Sequence, residues 1–196
     1  KNVTHYVMFV EMDDKRFFLK RFIDDNPESK ILVFVRTRVR AQRVSDFLKN
    51  SGIDSLTIHG EKDQEERNSV LLKFKNGTSR ILIATDLTAR GIDIPDINYV
   101  INYDLPEKEE NYVHRVGRTG RGVRKGSAIS YCSSGEKETL EKIQQFLNKK
   151  IEEIRVSKKE YAHTLEKPKE QSLQELIDEH EAWKKGRKKK KSSLYE

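Results

Sequence analysis

Short apolar runs alternate along the chain with segments in which apolar residues recur at helical spacing. Runs such as ILVFV and ILIA are apolar without alternation, which is typical of strands covered on both faces. The pattern predicts strands at 6–10, 31–35, 55–58, 81–84, 99–102 and 128–131, and helices at 40–50, 64–75 and 136–149. This order predicts an α/β fold, a doubly wound parallel sheet with helices on both faces and working loops at the carboxyl ends of its strands.

The pattern changes after residue 154. A polar stretch rich in lysine and glutamate, interrupted by Pro168, leads to one amphipathic candidate helix at 173–183 and then to the run KKGRKKKKSS. A segment without apolar content cannot bury a core, so we expect the end of the chain to be disordered unless it is bound. We therefore predict a folded domain at 1–154 and, at 155–196, a polar linker, a short helix and a basic tail.

The net charge of +7 is concentrated in that tail. Residues 182–196 hold seven basic residues and one acidic residue, or +6, which leaves 32 basic against 31 acidic residues, or +1, before them. Bulk charge therefore does not identify the body as a nucleic-acid binder. For the tail, the lysine run leaves RNA, ribosomes, acidic proteins or no partner open.

The composition also narrows the class of protein. The chain has no run near the roughly 18 apolar residues of a spanning helix, so we expect a soluble protein with no membrane partner. Cys132 is the only cysteine, which excludes an internal disulfide framework and favours a cytoplasmic or otherwise intracellular location. This cysteine ends an apolar strand and is predicted to be buried. Because the chain opens on Lys1, we expect it to be part of something longer.

The segment HRVGRTGR at 114–121 has the most closely spaced candidate functional residues. It places guanidinium groups at Arg115, Arg118 and Arg121, beside His114 and two glycines where a ligand or another backbone would approach. Arginine suits phosphate oxygens because its planar fork donates two parallel hydrogen bonds and keeps its proton. The alternative is a solvated basic face that balances the glutamates at 107, 109 and 110.

The segment ATDLTARGIDIP at 84–95 follows the apolar strand ILIA. It places Asp86 and Asp93 at the carboxyl end of a strand, where an α/β sheet binds its ligand. An aspartate there either accepts hydrogen bonds from ribose hydroxyls or holds an arginine in position. Thr85 or Asp86 also suits the N-cap of a following helix, and the two roles are compatible.

These two segments resemble motifs VI and V of the DEAD-box RNA helicases. VFVRT at 33–37 resembles motif IV, HGEKDQEER at 59–67 resembles the HG-x(3)-Q-x-x-R block, and VINYDLP at 100–106 resembles the segment between motifs V and VI. The resemblance covers residues 3–150, in the family's order, and implies the carboxy-terminal RecA-like domain. After about residue 155 nothing resembles the family.

The resemblance implies a role for each matching residue. Arg118 and Arg121 would be arginine fingers that enter the ATP site of a partner domain, and Gly91 and Asp93 would meet the nucleotide, with Asp93 at the ribose. His114 would link the ATP and RNA states across the cleft, with Gln64 as its partner; otherwise it is a helix surface residue.

The RNA contacts implied by the resemblance come from Thr37, Gly60, Arg67 and Thr85. Such contacts reach phosphates and 2′-hydroxyls without reading bases, so binding would be largely independent of sequence. Arg67 has an alternative as an exposed helical arginine paired with Asp63 or with Glu66.

One part of an ATPase is missing from the sequence. There is no G-x-x-x-x-G-K-[ST] phosphate loop, and the acidic string DEHE at 178–181 follows a helical pattern and is interpreted as a helix surface. We therefore expect no metal site in this chain. ATP and Mg²⁺ would be cofactors of the full-length protein, with Mg²⁺ held by its amino-terminal RecA-like domain.

On this interpretation the chain is half of an ATP-dependent RNA helicase that unwinds or remodels RNA duplexes, with RNA and the amino-terminal domain as partners. This half alone is expected to be inactive, and no oligomer is indicated. One rival is a non-catalytic module for RNA tethering or protein docking. A second rival is a DNA helicase with the same two-domain ATPase. The histidine at the start of motif VI argues against this rival.

Overall fold

The computed structural model describes residues 3–60, 62–89, 93–120, 125–165 and 177. The chain divides into two compact units, Lys1–Thr164 and Leu165–Glu196, and the first contains the sheet. The division predicted after residue 154 thus precedes a short segment that the first unit includes. Of the candidate helix at 173–183, only Ile177 is among the described residues, and it is helical.

One sheet organises the described part of the first unit. Its seven strands pair in parallel throughout, in the order β3-β4-β2-β5-β6-β1-β7. The strands are β1 Val3–Phe9, β2 Ile31–Phe34, β3 Leu56–Ile58, β4 Ile81–Ala84, β5 Tyr99–Asn102, β6 Gly126–Cys132 and β7 Glu152–Glu153. The predicted α/β fold is confirmed, and all six predicted strands are present.

Six of the seven described α-helices connect these strands, and the seventh follows the last strand. The helices are α1 Lys15–Asp25, α2 Arg38–Asn50, α3 Gln64–Lys75, α4 Asp86–Ala89, α5 Glu109–Val116, α6 Lys137–Leu147 and α7 Lys158–Leu165. The three predicted helices correspond to α2, α3 and α6, and α4 begins at Asp86, one of the two residues that suit an N-cap; α1, α5 and α7 were not predicted. None of the helices in the described residues is both long and apolar enough to cross a membrane.

The core lies on both sides of the central strands. Every residue of β2 and β4 is fully buried, as their unbroken apolar runs predict. Cys132 is buried at the end of β6, as predicted, and burial raises the pKa of its thiol to about 11.

Helix α7 contacts the rest of the first unit through Tyr161. The ring of Tyr161 packs against Phe18 with centroids 4.9 Å apart. Its hydroxyl donates to Asp14 Oδ2 at 2.6 Å and accepts from the Glu11 backbone N–H at 3.0 Å. The folded unit therefore extends past the last strand, through a contact that a polar sequence pattern does not reveal.

Candidate nucleotide and RNA site

The strand register brings four loops to one edge of the sheet. Phe34 lies opposite both Ala84 and Asn102, and Ile58 also lies opposite Ala84. The residues that follow these strand ends are therefore neighbours at the carboxyl edge: Arg36 and Thr37, His59 and Gly60, Thr85 and Asp86, and Tyr103 and Asp104. This edge is where a parallel α/β sheet places its ligand.

Hydrogen bonds hold the loop after β2 at both of its ends. Thr37 is exposed and caps α2, because its side chain accepts a hydrogen bond from the Arg40 backbone N–H at 3.2 Å. Just before it, the Arg36 backbone N–H donates to Asp104 Oδ2 at 3.0 Å, and Arg36 Nε donates to the Leu105 carbonyl at 3.1 Å. The loop that carries Thr37 is thus fastened to the segment after β5.

Asp104 is the acceptor at the centre of this arrangement. Arg40 donates to both of its carboxylate oxygens, from Nε to Oδ2 at 2.7 Å and from Nη2 to Oδ1 at 2.6 Å. These hydrogen bonds raise the pKa of the Arg40 guanidinium above its usual value. Asp104 is only 1% exposed, so its charge depends on these partners.

A second buried pair supports the same segment. Lys15 Nζ donates to the Tyr103 carbonyl at 2.7 Å and to the Glu136 carboxylate, and it lies 3.8 Å from Asp104 Oδ1. Glu136 in turn accepts from the Leu105 backbone N–H at 3.0 Å. Beneath the loops, the positive charges of Lys15 and Arg40 therefore balance the negative charges of Asp104 and Glu136.

The loop after β4 forms a different ion pair. The Asp86 carboxylate, at the start of α4, accepts from Arg115 Nε at 2.5 Å and Nη2 at 2.7 Å. Of the roles left open for Asp86, holding an arginine is therefore the one that the geometry supports. Thr85 beside it is buried, and its Oγ1 lies 3.4 Å from the Thr88 hydroxyl.

Arg115 lies inside the fold. It is 1% exposed, donates from Nη1 to the Asp104 carbonyl at 2.6 Å, and stacks its guanidinium over the Phe34 ring at 5.0 Å. The first arginine of the 114–121 segment is thus fully used in joining α5 to the sheet. It is not available to a phosphate.

The other predicted ATP-side residues lie outside this buried contact. His114 is exposed, and its carbonyl accepts from Arg118 Nε at 3.1 Å, while Arg118 is half-buried. Asp93 is exposed. Gly91 and Arg121 lie outside the described residues, so their predicted roles have no structural account.

One glycine permits the close approach of this segment to the sheet. A Cβ at Gly126, the first residue of β6, would overlap the Thr119 side chain and the Gly120 backbone N. Thr119 Oγ1 also donates to the Ile97 carbonyl at 2.5 Å. The sequence analysis missed Gly126, and neither its spacing nor its neighbours distinguish it from a turn glycine.

The loop after β3 leads into α3. Gly60 is exposed, and a Cβ there would meet nothing within 4 Å among the described atoms. Gln64 donates to Asn68 Oδ1 at 2.9 Å on its own helix. Burial lowers the pKa of His59, and nearby positive charges, of which Lys62 is the strongest, lower it further.

The side chain of Arg67, on the first turn of α3, is partly buried. Its Nε is buried and has no hydrogen-bond partner among the described residues. Asp63 and Glu66 instead form a capping box, in which each side chain accepts from the other's backbone N–H, at 2.8 Å for Asp63 and 3.2 Å for Glu66. The carboxylates that would pair with an exposed Arg67 are thus used at the start of α3.

No ligand set for a metal is present in the described residues, where no group of three or more His, Cys, Asp or Glu side chains could hold an ion. What the edge offers is arginine, hydroxyl and backbone groups, which suit phosphate and ribose.

The chain matches the helicase conserved C-terminal domain over residues 14–123, more than half of its length. It is 45% identical over 139 residues to the ATP-dependent RNA helicase DBP2 of Candida glabrata, which covers 69% of this chain and 26% of that protein. The chain thus spans about a quarter of the length of this curated relative.

Solved structures are similar as well. The E. coli DEAD-box protein SrmB, bound to the regulator of ribonuclease activity A, superposes with a TM-score of 0.75 at 33% identity over 80% of this chain and 92% of that one. S. cerevisiae Dbp5, bound to RNA and ADP BeF3, gives 0.73 at 32% identity over 84% and 46%.

The chain therefore belongs to the helicase conserved C-terminal domain family. Within it, the relatives and the shared parallel sheet identify the chain as the carboxy-terminal RecA-like domain of a DEAD-box RNA helicase.

Proposed function

We propose that this chain supplies the second half of an ATP-dependent RNA helicase: arginine fingers, a ribose contact and an RNA-binding surface. The observation that carries the proposal is the burial of Arg115 between Asp86 and the Asp104 carbonyl. This contact anchors α5 at the carboxyl edge of the sheet, with His114 and Arg118 outside the buried pair.

On the ATP side, Arg118 and Arg121 stabilise charge on the γ-phosphate as water attacks it. Gly91 and Asp93 contact the nucleotide, with Asp93 at the ribose hydroxyls. Mg²⁺ and the attacking water would be held by the amino-terminal RecA-like domain.

On the RNA side, Thr37, Gly60, Arg67 and Thr85 bind the strand through its backbone. The buried Nε of Arg67 supports this role: it has no acceptor in the part of the chain that the structure describes, a buried donor without an acceptor is costly, and an RNA oxygen would satisfy it. Thr85 contributes main-chain groups, because its side chain is buried against Thr88. A relative in this fold, Dbp5, has been solved with RNA bound.

Between the two sides, Gln64 and His114 relay the bound state across the cleft. Both are exposed at the carboxyl edge, which supports a role at a surface that a second domain covers. Closure on ATP and RNA bends the strand and unpairs a duplex locally, and hydrolysis reopens the cleft.

The test of this function is ATP hydrolysis by the protein that carries both RecA-like domains, with no nucleic acid, single-stranded RNA or single-stranded DNA. We expect stimulation by RNA and little by DNA. Stimulation by DNA alone would favour the DNA helicase, and RNA binding without stimulated hydrolysis would favour the tethering or docking module.

The basic tail gives a separate prediction. If its seven basic residues bind phosphates, deleting residues 182–196 weakens binding of single-stranded RNA whatever its sequence. Each neutralised phosphate adds about −0.7 to the slope of log affinity against log salt, so the tail accounts for at most about −5. Affinity is measured from low to physiological salt with and without the segment. Equal slopes would show that the tail does not bind RNA.

A further inference from the structure

We propose that Asp104 is a positioning residue for RNA binding. Its buried carboxylate fixes the conformation of the loop that carries Thr37 and does not itself contact RNA. The inference rests on the proposed function, because it assumes that Thr37 binds RNA. Asp104 belongs to the VINYDLP segment, for which the resemblance implied no role.

The carboxylate of Asp104 accepts hydrogen bonds from residues on both sides of Thr37 in the chain. It accepts from the Arg36 backbone N–H, one residue before Thr37, and from the Arg40 side chain, three residues after it. The Arg40 backbone N–H in turn donates to the Thr37 side chain. One carboxylate, 68 residues from Arg36 in the chain, therefore holds the loop on both sides of Thr37, and the Leu105 carbonyl, which accepts from Arg36 Nε, adds to this hold.

Asp104 is itself held firmly from below. The carbonyl of Tyr103 before it accepts from Lys15, and the backbone N–H of Leu105 after it donates to Glu136. Lys15 and Glu136 are 0% and 3% exposed, so this support is inaccessible to solvent. A support of this kind lets the carboxylate hold the loop in a single arrangement.

The backbone of Asp104 serves the other side of the site. Its carbonyl accepts from Arg115, which anchors the helix that carries His114 and that ends just before Arg118. The two functions use different groups of one residue. A substitution that alters only the carboxylate therefore separates them.

The test uses Asp104→Asn and Arg40→Gln in the protein that carries both RecA-like domains. Asp104→Asn keeps the carbonyl that binds Arg115 but weakens the hold on Arg36 and Arg40. We expect the RNA concentration for half-maximal ATPase stimulation to rise about tenfold, the effect of losing one charge-assisted hydrogen bond. kcat at saturating RNA and KM for ATP should change by less than about twofold.

Two further variants separate positioning from other roles. Arg40→Lys keeps the charge but loses the bidentate fork, so we expect an intermediate rise in the RNA requirement. Ile23→Val removes one methyl group from a fully buried site on α1 and serves as a matched control for lost stability, with no expected change in the RNA requirement. Because Arg40 stays 28% exposed, the salt dependence of RNA binding is measured as well.

An unchanged salt slope in Arg40→Gln, together with weaker RNA binding, supports positioning. A slope reduced by about one phosphate contact would overturn it in favour of direct contact by Arg40. An unchanged RNA requirement in both Arg40 variants would also overturn it, even where Asp104→Asn fails to fold. If the unaltered protein shows no stimulation by RNA, the proposed function fails as well.

Discussion

Replacing Arg118 by lysine in the two-domain protein is expected to reduce single-turnover ATP hydrolysis by about 10³- to 10⁵-fold, the contribution of arginine fingers in related phosphoryl-transfer systems. Lysine keeps the charge but loses the planar fork that donates two parallel hydrogen bonds to phosphate oxygens. Arg121→Lys is expected to have the same effect. The fold should be unchanged, because Arg118 is half-buried and lies outside the buried contact of Arg115.

The matched control is Arg21→Lys. Arg21 is a partly exposed arginine on α1 that contacts Asp25 and Thr164, so the same chemical change there should leave hydrolysis intact. Circular dichroism and the melting temperature establish that each variant is folded. A loss of less than about tenfold in folded Arg118→Lys and Arg121→Lys would refute the arginine-finger roles.

The second large effect concerns stability. Lys15→Met is expected to lower the free energy of unfolding by about 3–5 kcal/mol, because it leaves Glu136 as an uncompensated buried charge. Lys15 is 0% exposed and also donates to the Tyr103 carbonyl. The measurement is equilibrium denaturation of this chain by urea.

The control lies on the same helix. Lys20 forms an exposed ion pair with Asp24, so Lys20→Met should cost less than about 1 kcal/mol. Adding Glu136→Gln to Lys15→Met removes the buried charge and should recover part of the loss. If Lys15→Met were as mild as Lys20→Met, the buried network would not hold the segment around Asp104.

The strands could be predicted well because their environment is simple. β2 and β4 are buried on both faces, and an unbroken apolar run is the direct consequence in the sequence. Helix α1 was harder to predict because its first residue, Lys15, is buried. A pattern that assigns every lysine to the surface misplaces such a helix.

Helix α5 shows the same limit in the functional region. It buries Arg115 against Asp86, 29 residues earlier in the chain, so its apparent polar face is in fact a core contact. Pairing across that distance is a tertiary property, and neither periodicity nor helix propensity contains it.

The position of the site was easier to predict than its support. Residues that follow parallel strands meet at one edge, and the structure places Thr37, Gly60 and Thr85 after β2, β3 and β4 there, while their contacts with RNA stay predictions. The partners Lys15 and Glu136 lie 121 residues apart and have no motif to join them. The burial of Thr85 was equally hidden, because it depends on the packing of α4.

The most direct test of the central claim is RNA-dependent phosphate release by two proteins at equal concentration: this chain alone, and the protein that also carries the amino-terminal RecA-like domain. Because this chain has no phosphate loop in its sequence, we predict that it releases no phosphate above background with RNA, whereas the two-domain protein is stimulated. Robust RNA-dependent release by the chain alone, in a preparation free of contaminating ATPase, would contradict the account.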